Sequence, residues 1–189
     1  MKILRNLIVL FTLLISPLAW ADVGFKIVTK DGYVAFSAGK EWPVVSMQSQ
    51  MPVTVSAFQI PNLADKGTPH STNLVFMFYE HGSQKAAKLL KSIGKQFGTE
   101  KPSREHYGKW EVFRQLAVQG EATYVVLDAK RELTKVSASV RLGWPRLNGN
   151  ADNYDAEMEK LFQSALNSVT EQVGEYHPES GDTVQRPSQ

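Results

Sequence analysis

The sequence predicts an α+β domain, an antiparallel sheet with two main helices packed on it, and three stretches lead to that class. Residues 134–144 alternate, with Val136, Ala138, Val140, Leu142 and Trp144 set against Lys135, Ser137, Ser139, Arg141 and Gly143. This period of two makes a half-buried strand. Leu74-Val75-Phe76-Met77-Phe78-Tyr79 is apolar or aromatic throughout, which predicts a central strand covered on both faces. After Pro145, Tyr154, Met158, Leu161, Phe162, Ala165, Val169 and Val173 recur at helical spacing and form one apolar stripe.

The other elements follow in order. Val23 to Thr29 and Tyr33 to Ser37 alternate around Lys30-Asp31-Gly32, where the Asp-Gly pair favours a turn with positive φ. Trp42-Pro43 closes a loop and biases Trp42 toward extended geometry. Val44 to Gln48 and Val53 to Ile60 read as two further strands, and Pro61 to Asn73 as an exposed loop. A helix is predicted over 83–98, capped by Ser83, striped by Ala86, Leu90, Ile93 and Phe97, and closed by Gly98. Its lysines, Lys85, Lys88, Lys91 and Lys95, fall mainly on the outer face and read as a solvated surface. Glu100 to Gly108 reads as a polar loop. Trp110 to Val118 and Ala122 to Ala129 make a hairpin that continues into 134–144 as a meander, and Arg114 breaks the apolar parity as a bulge or exposed edge would. The last helix is predicted from about Asp152 to near Val173, with Gly174 stopping it, and residues 175–189 as a disordered tail. The order is five strands, a helix, three strands and a helix, in one domain over 22–174.

Met1-Lys2-Ile3-Leu4-Arg5, the apolar run from Leu7 to Leu18 and Ala19-Trp20-Ala21 have the form of a signal peptide cleaved after Ala21. The apolar run is short for a membrane span, and no cysteine follows the cleavage site to take a lipid, so no stable membrane anchor is expected after cleavage. The predicted destination is the periplasm or the medium. Lys2 and Arg5 are the only charged residues of the leader, so its removal leaves 19 basic against 19 acidic residues. That balance gives no basis for nucleic-acid binding. With no cysteine in the chain, disulfides, thiolate zinc sites and a cysteine nucleophile are excluded.

No nucleophile elbow, zinc-protease helix or phosphate-binding glycine loop occurs, and no motif indicates a cofactor or a metal. Of the histidines, His70 and His106 fall in predicted loops and His177 in the tail. His81, beside Glu80 at the end of the central strand, is the candidate for acid–base chemistry, because strand ends are where rigid scaffolds place sites. The plainer reading of Glu80-His81-Gly82-Ser83 is a polar turn ending in a helix cap. Asp152, Asp155, Glu157 and Glu159 suit the first turn or outer side of the last helix on dipole grounds. Trp42, Trp110 and Trp144 each stand where a loop meets a strand. Brought together at one end of the sheet they would line a ligand groove or a partner surface, and core packing is the alternative.

The stretch Tyr33-Val34-Ala35-Phe36 followed by Glu41-Trp42-Pro43, and the later meander followed by the helix from Met158 to Val169, resemble the opening and closing of PsbP-like domains over roughly residues 25–172. That resemblance implies an antiparallel sheet flanked by helices and an accessory or binding role. It transfers no functional residue. The reading that results is a soluble, exported, non-enzymatic accessory protein acting through protein–protein contact, in one concrete form an immunity-type inhibitor of a periplasmic toxin. The alternatives are a small-ligand carrier with an aromatic groove, and a small hydrolase using His81 with Glu80.

Overall fold

The structure is a computed structural model and describes residues 24–29, 32–39, 42–50, 53–60, 72–84, 87–88, 102–119, 122–146, 151–174 and 183–185. These form eleven strands and one long helix: β1 (Gly24–Thr29), β2 (Gly32–Ser37), β3 (Val44–Gln50), β4 (Val53–Ile60), β5 (Thr72–Glu80), β6 (Ser103–Tyr107), β7 (Trp110–Gln119), β8 (Ala122–Glu132), β9 (Val136–Pro145), α1 (Ala151–Ser168), β10 (Thr170–Val173) and β11 (Thr183–Gln185). The large sheet has the order β3-β4-β5-β9-β8-β7-β6 and is antiparallel throughout. The small sheet has the order β10-β2-β1-β11, in which β11 joins β1 in parallel.

The α+β class is therefore corrected. The described chain is mostly strand, in two sheets with one long helix, and the PsbP-like arrangement of two main helices on one sheet does not describe it. Most of the helix predicted over 83–98 lies outside the described residues. Of that stretch, Gln84, Ala87 and Lys88 are helical, and the Ala87 N–H bonds the Ser83 carbonyl at 3.0 Å. The leader, His70, His177 and the Pro61–Ser71 stretch also lie outside the described residues.

One face of the large sheet carries the core. Phe58, Leu74, Leu142 and Leu127 run across it in one register row, and Phe76, Val140 and Ala129 in the next. All seven are buried. The small sheet packs on this face through Phe25 and Phe36, whose rings meet Phe58, Phe76 and Phe78 at centroid distances of 4.7–5.2 Å. α1 shares the face and buries Tyr154, Met158, Phe162, Ala165 and Leu166, one stripe at helical spacing. β5 lies between β4 and β9; Leu74, Phe76 and Phe78 are buried on the core face, and Met77 is buried on the other.

Arg114 lies on the core face without a bulge. β7 pairs continuously with β8 and is flanked on its other side by β6, so the expected bulge or exposed edge at Arg114 is also corrected. Its guanidinium pairs with Glu159 of α1, which explains a cation at a position where parity asks for an apolar residue. The register shift in the large sheet falls instead in β3, between Val44 and Ser46.

The C-terminal end of the predicted helix is a strand. The Ser168 hydroxyl accepts the Ser37 N–H at 3.0 Å and lies 2.7 Å from the Ala165 carbonyl, turning the last helical residue onto the end of β2. Thr170–Val173 then pairs with β2, so Val173 is exposed rather than part of the helix stripe. Gly32 makes this pairing possible. It is not among the positive-φ glycines, and a β-carbon built on it would overlap the Gln172 carbonyl oxygen. Its role is close approach of β10, not turn conformation.

Gly32→Ala is expected to cost about 1–3 kcal/mol, because backbone must move to admit the methyl group. Urea denaturation of the two proteins measures it, and β10 should gain amide exchange before β4 or β5 does.

Candidate functional site

The candidate histidine stands at one end of the large sheet. Tyr79 of β5 pairs with Ser137 of β9, and Ser137 pairs with Glu132 of β8, so three polar residues share one register row. His81 follows β5 and brings Nε2 to 3.2 Å from Glu132 Oε2. The Ser137 hydroxyl donates to the same carboxylate oxygen. Burial raises the Tyr79 phenol above its ordinary value, the Glu132 charge adds to that, and a hydrogen bond with Ser137 partly offsets it.

This arrangement differs from the pairing expected from sequence. His81 meets Glu132, fifty-one positions away, rather than its neighbour Glu80. Glu80 is exposed; alternation along β5 puts it on the opposite side from Tyr79, and its carbonyl accepts the Ser83 N–H at 3.2 Å. Chemically, the group converges serine and imidazole on one carboxylate. The Ser137 hydroxyl donates to Glu132, but Ser137 is buried and presents no exposed nucleophile. The geometry is that of a polar tie joining β5, β8 and β9. Glu132 and Ser137 carried no signal in the sequence, since only the strand register brings them to His81.

The three tryptophans do not form one surface. Trp144 is fully buried, and its indole N–H donates to Asp155 Oδ1 at 2.6 Å, fastening β9 to the first half of α1. Trp110 is buried near the other end of the same face, with the Arg131 guanidinium 5.8 Å from its ring centroid. Arg131 pairs with Ala138, six residues along β9 from Trp144. At strand spacing the two indoles are therefore about 20 Å apart. Trp42 is partly buried against the core, just before β3, where the Pro43 carbonyl accepts the Gln59 N–H at 2.9 Å.

Two other polar groups are built into the frame. On the sheet face away from α1, Arg141 grips Asp128 across β8 and β9 with Nε 2.6 Å from Oδ1 and Nη2 2.7 Å from Oδ2. Both side chains are only 13% exposed, so this bidentate pair is largely shielded from water. In β10, the Glu171 carboxylate accepts the N–H groups of Thr134 and Lys135 at 2.8 and 3.1 Å, tying the small sheet to the β8–β9 turn. Partial burial pushes its pKa upward, but these hydrogen bonds and the Arg131 charge outweigh burial and leave it below the ordinary 4.5.

Among the described residues no group of three His, Cys, Asp or Glu side chains is placed to hold a metal ion. None of the described helices is long and apolar enough to cross a membrane. No family model matches the chain, and no curated protein matches it.

The lowered pKa of Glu171 fixes a sign. Its tie contributes fully above the unfolded-state value near 4.5 and is lost as pH falls through the depressed folded value. Glu171→Ala should therefore cost on the order of 0.5–1 kcal/mol at neutral pH, kept small by solvent screening. Below that window the two proteins should converge in chemical denaturation.

Proposed function

We propose that this chain is an exported, soluble accessory protein that works by binding another protein and performs no catalysis. An immunity-type inhibitor of a toxin acting in the periplasm is the concrete form. The leader pattern over residues 1–21 supports export.

The observation that carries the reading is β6. It stands at the end of the large-sheet order with β7 as its neighbour, and Ser103, Arg104, Glu105 and His106 are all exposed. A strand in that position offers backbone donors and acceptors to an added strand. Its charged side chains oppose indiscriminate pairing and favour a partner of matched charge. The candidate catalytic group does not compete with this reading, because Ser137 and His81 both spend their contacts on Glu132. An aromatic groove draws no support from Trp110 and Trp144, whose rings are core.

Affinity capture of tagged residues 22–189 from the native envelope should return one stoichiometric protein. Arg104→Glu combined with His106→Glu should weaken that complex at least about tenfold. Because Arg104 pairs with Glu111 and His106 lies opposite it in the register, circular dichroism must show the variant folded at the temperature of the measurement. Repeated empty captures, or a complex indifferent to both substitutions, would contradict the reading.

A further inference from the structure

β1 is paired on both sides, antiparallel to β2 and parallel to β11. The two neighbours are unequal. Among the described residues β2 matches β1 over six residue pairs, from Gly24↔Ser37 to Thr29↔Gly32, and β11 matches it over three. Parallel pairing is also slightly weaker per residue than antiparallel pairing.

The residue types of β11 suit this position poorly. Its register sets Thr183 beside Phe25, Val184 beside Lys26 and Gln185 beside Ile27. Phe25 and Ile27 are core residues at 4% and 2% exposure. The strand thus offers a hydroxyl and an amide at the register positions of two core residues, and its one aliphatic residue at the position of a lysine. Register is strongly specified when the apolar pattern of a strand agrees with the buried face, and here the pattern is inverted.

We infer that the side of β1 that pairs with β11 is a strand-acceptor edge and that β11 is its replaceable occupant from the same chain. The ligand that fits is an extended segment of a partner protein, running parallel to β1, with apolar side chains at the two positions that Thr183 and Gln185 now hold. Such a segment makes the same backbone bonds and adds apolar contact at the edge of the small sheet, beside Phe25 and Ile27. This rests on the proposed protein-binding role and places a second site on the small sheet, apart from β6. Its test needs no natural partner, so an empty capture and a failed titration are separate results.

The probe is a labelled synthetic peptide of residues 179–189 carrying Thr183→Val and Gln185→Val. It is titrated into the full-length chain and into a full-length Val184→Pro variant, in which β11 loses a backbone N–H and its fit to β1. The variant should bind the probe at least about tenfold more tightly than the unaltered chain, because the competing occupant is gone. Equal affinities, or no binding to a variant whose circular dichroism shows it folded, would overturn the inference. Hydrogen exchange on the unaltered chain gives a second reading that does not depend on the variant. Amides of Thr183–Gln185 should open at least about 100-fold more often than those of β2. Equal protection of β11 and β2 would show a permanent strand and overturn the inference as well.

Discussion

The contact on which the architecture depends is the interlock of phenylalanines between the two sheets. Phe25 stacks on Phe36 at 5.4 Å, Phe36 reaches Phe76 and Phe78, and Phe58 sits edge-on to both Phe25 and Phe76. Phe36, Phe58, Phe76 and Phe78 are each at most 1% exposed. Ile27 and Val34 are buried beside this cluster and extend the apolar face of the small sheet, whereas β10 is largely exposed and contributes polar ties instead. Aromatic pairs in tilted or edge geometry add to their area burial. The cluster both drives the docking and sets its orientation.

Polar groups then fix what the apolar contact leaves free. Glu171 binds the β8–β9 turn, Ser168 folds the helix end onto β2, and Trp144 anchors α1 through Asp155. Arg114 and Glu159 join the helix to β7. The Ser168, Glu171 and Arg114 ties link elements far apart in sequence, whereas Trp144 and Asp155 stand in the successive elements β9 and α1. The His81–Glu132–Ser137 group belongs with these ties. It holds strand ends together, in a region where a bare sequence reading looks for catalysis.

The legible part of the fold was the part with a strong hydrophobic period. β5 follows from its continuous apolar run and the core stripe of α1 from helical spacing. The alternation of β9 marked its core face, but the strand is not half-buried, because Ser137 and Ser139 on the other face are buried as well. β6 was illegible because Ser-Arg-Glu-His-Tyr alternates nothing: an exposed edge strand carries no buried face to mark it. The helix end was misread because Val169 and Val173 stand four apart and continue the helical stripe, whereas pairing with β2 across Gly32 decided the outcome. Tertiary pairing overrode local periodicity there. The candidate site shows the same limit. His81 stood out because it follows a strong strand, but Glu132 and Ser137 could not be found without the register of three strands.

A double-mutant cycle on Phe36 and Phe76 tests the central claim most directly. Each change to alanine alone should cost about 3–5 kcal/mol in chemical denaturation. If the interlock organises the fold, the pair should cost less than the two separate effects combined, with a coupling of about 0.5–1.5 kcal/mol or more. Strict additivity would contradict the account, because it would mean that the two sheets are held by burial alone and that these rings do not recognise one another.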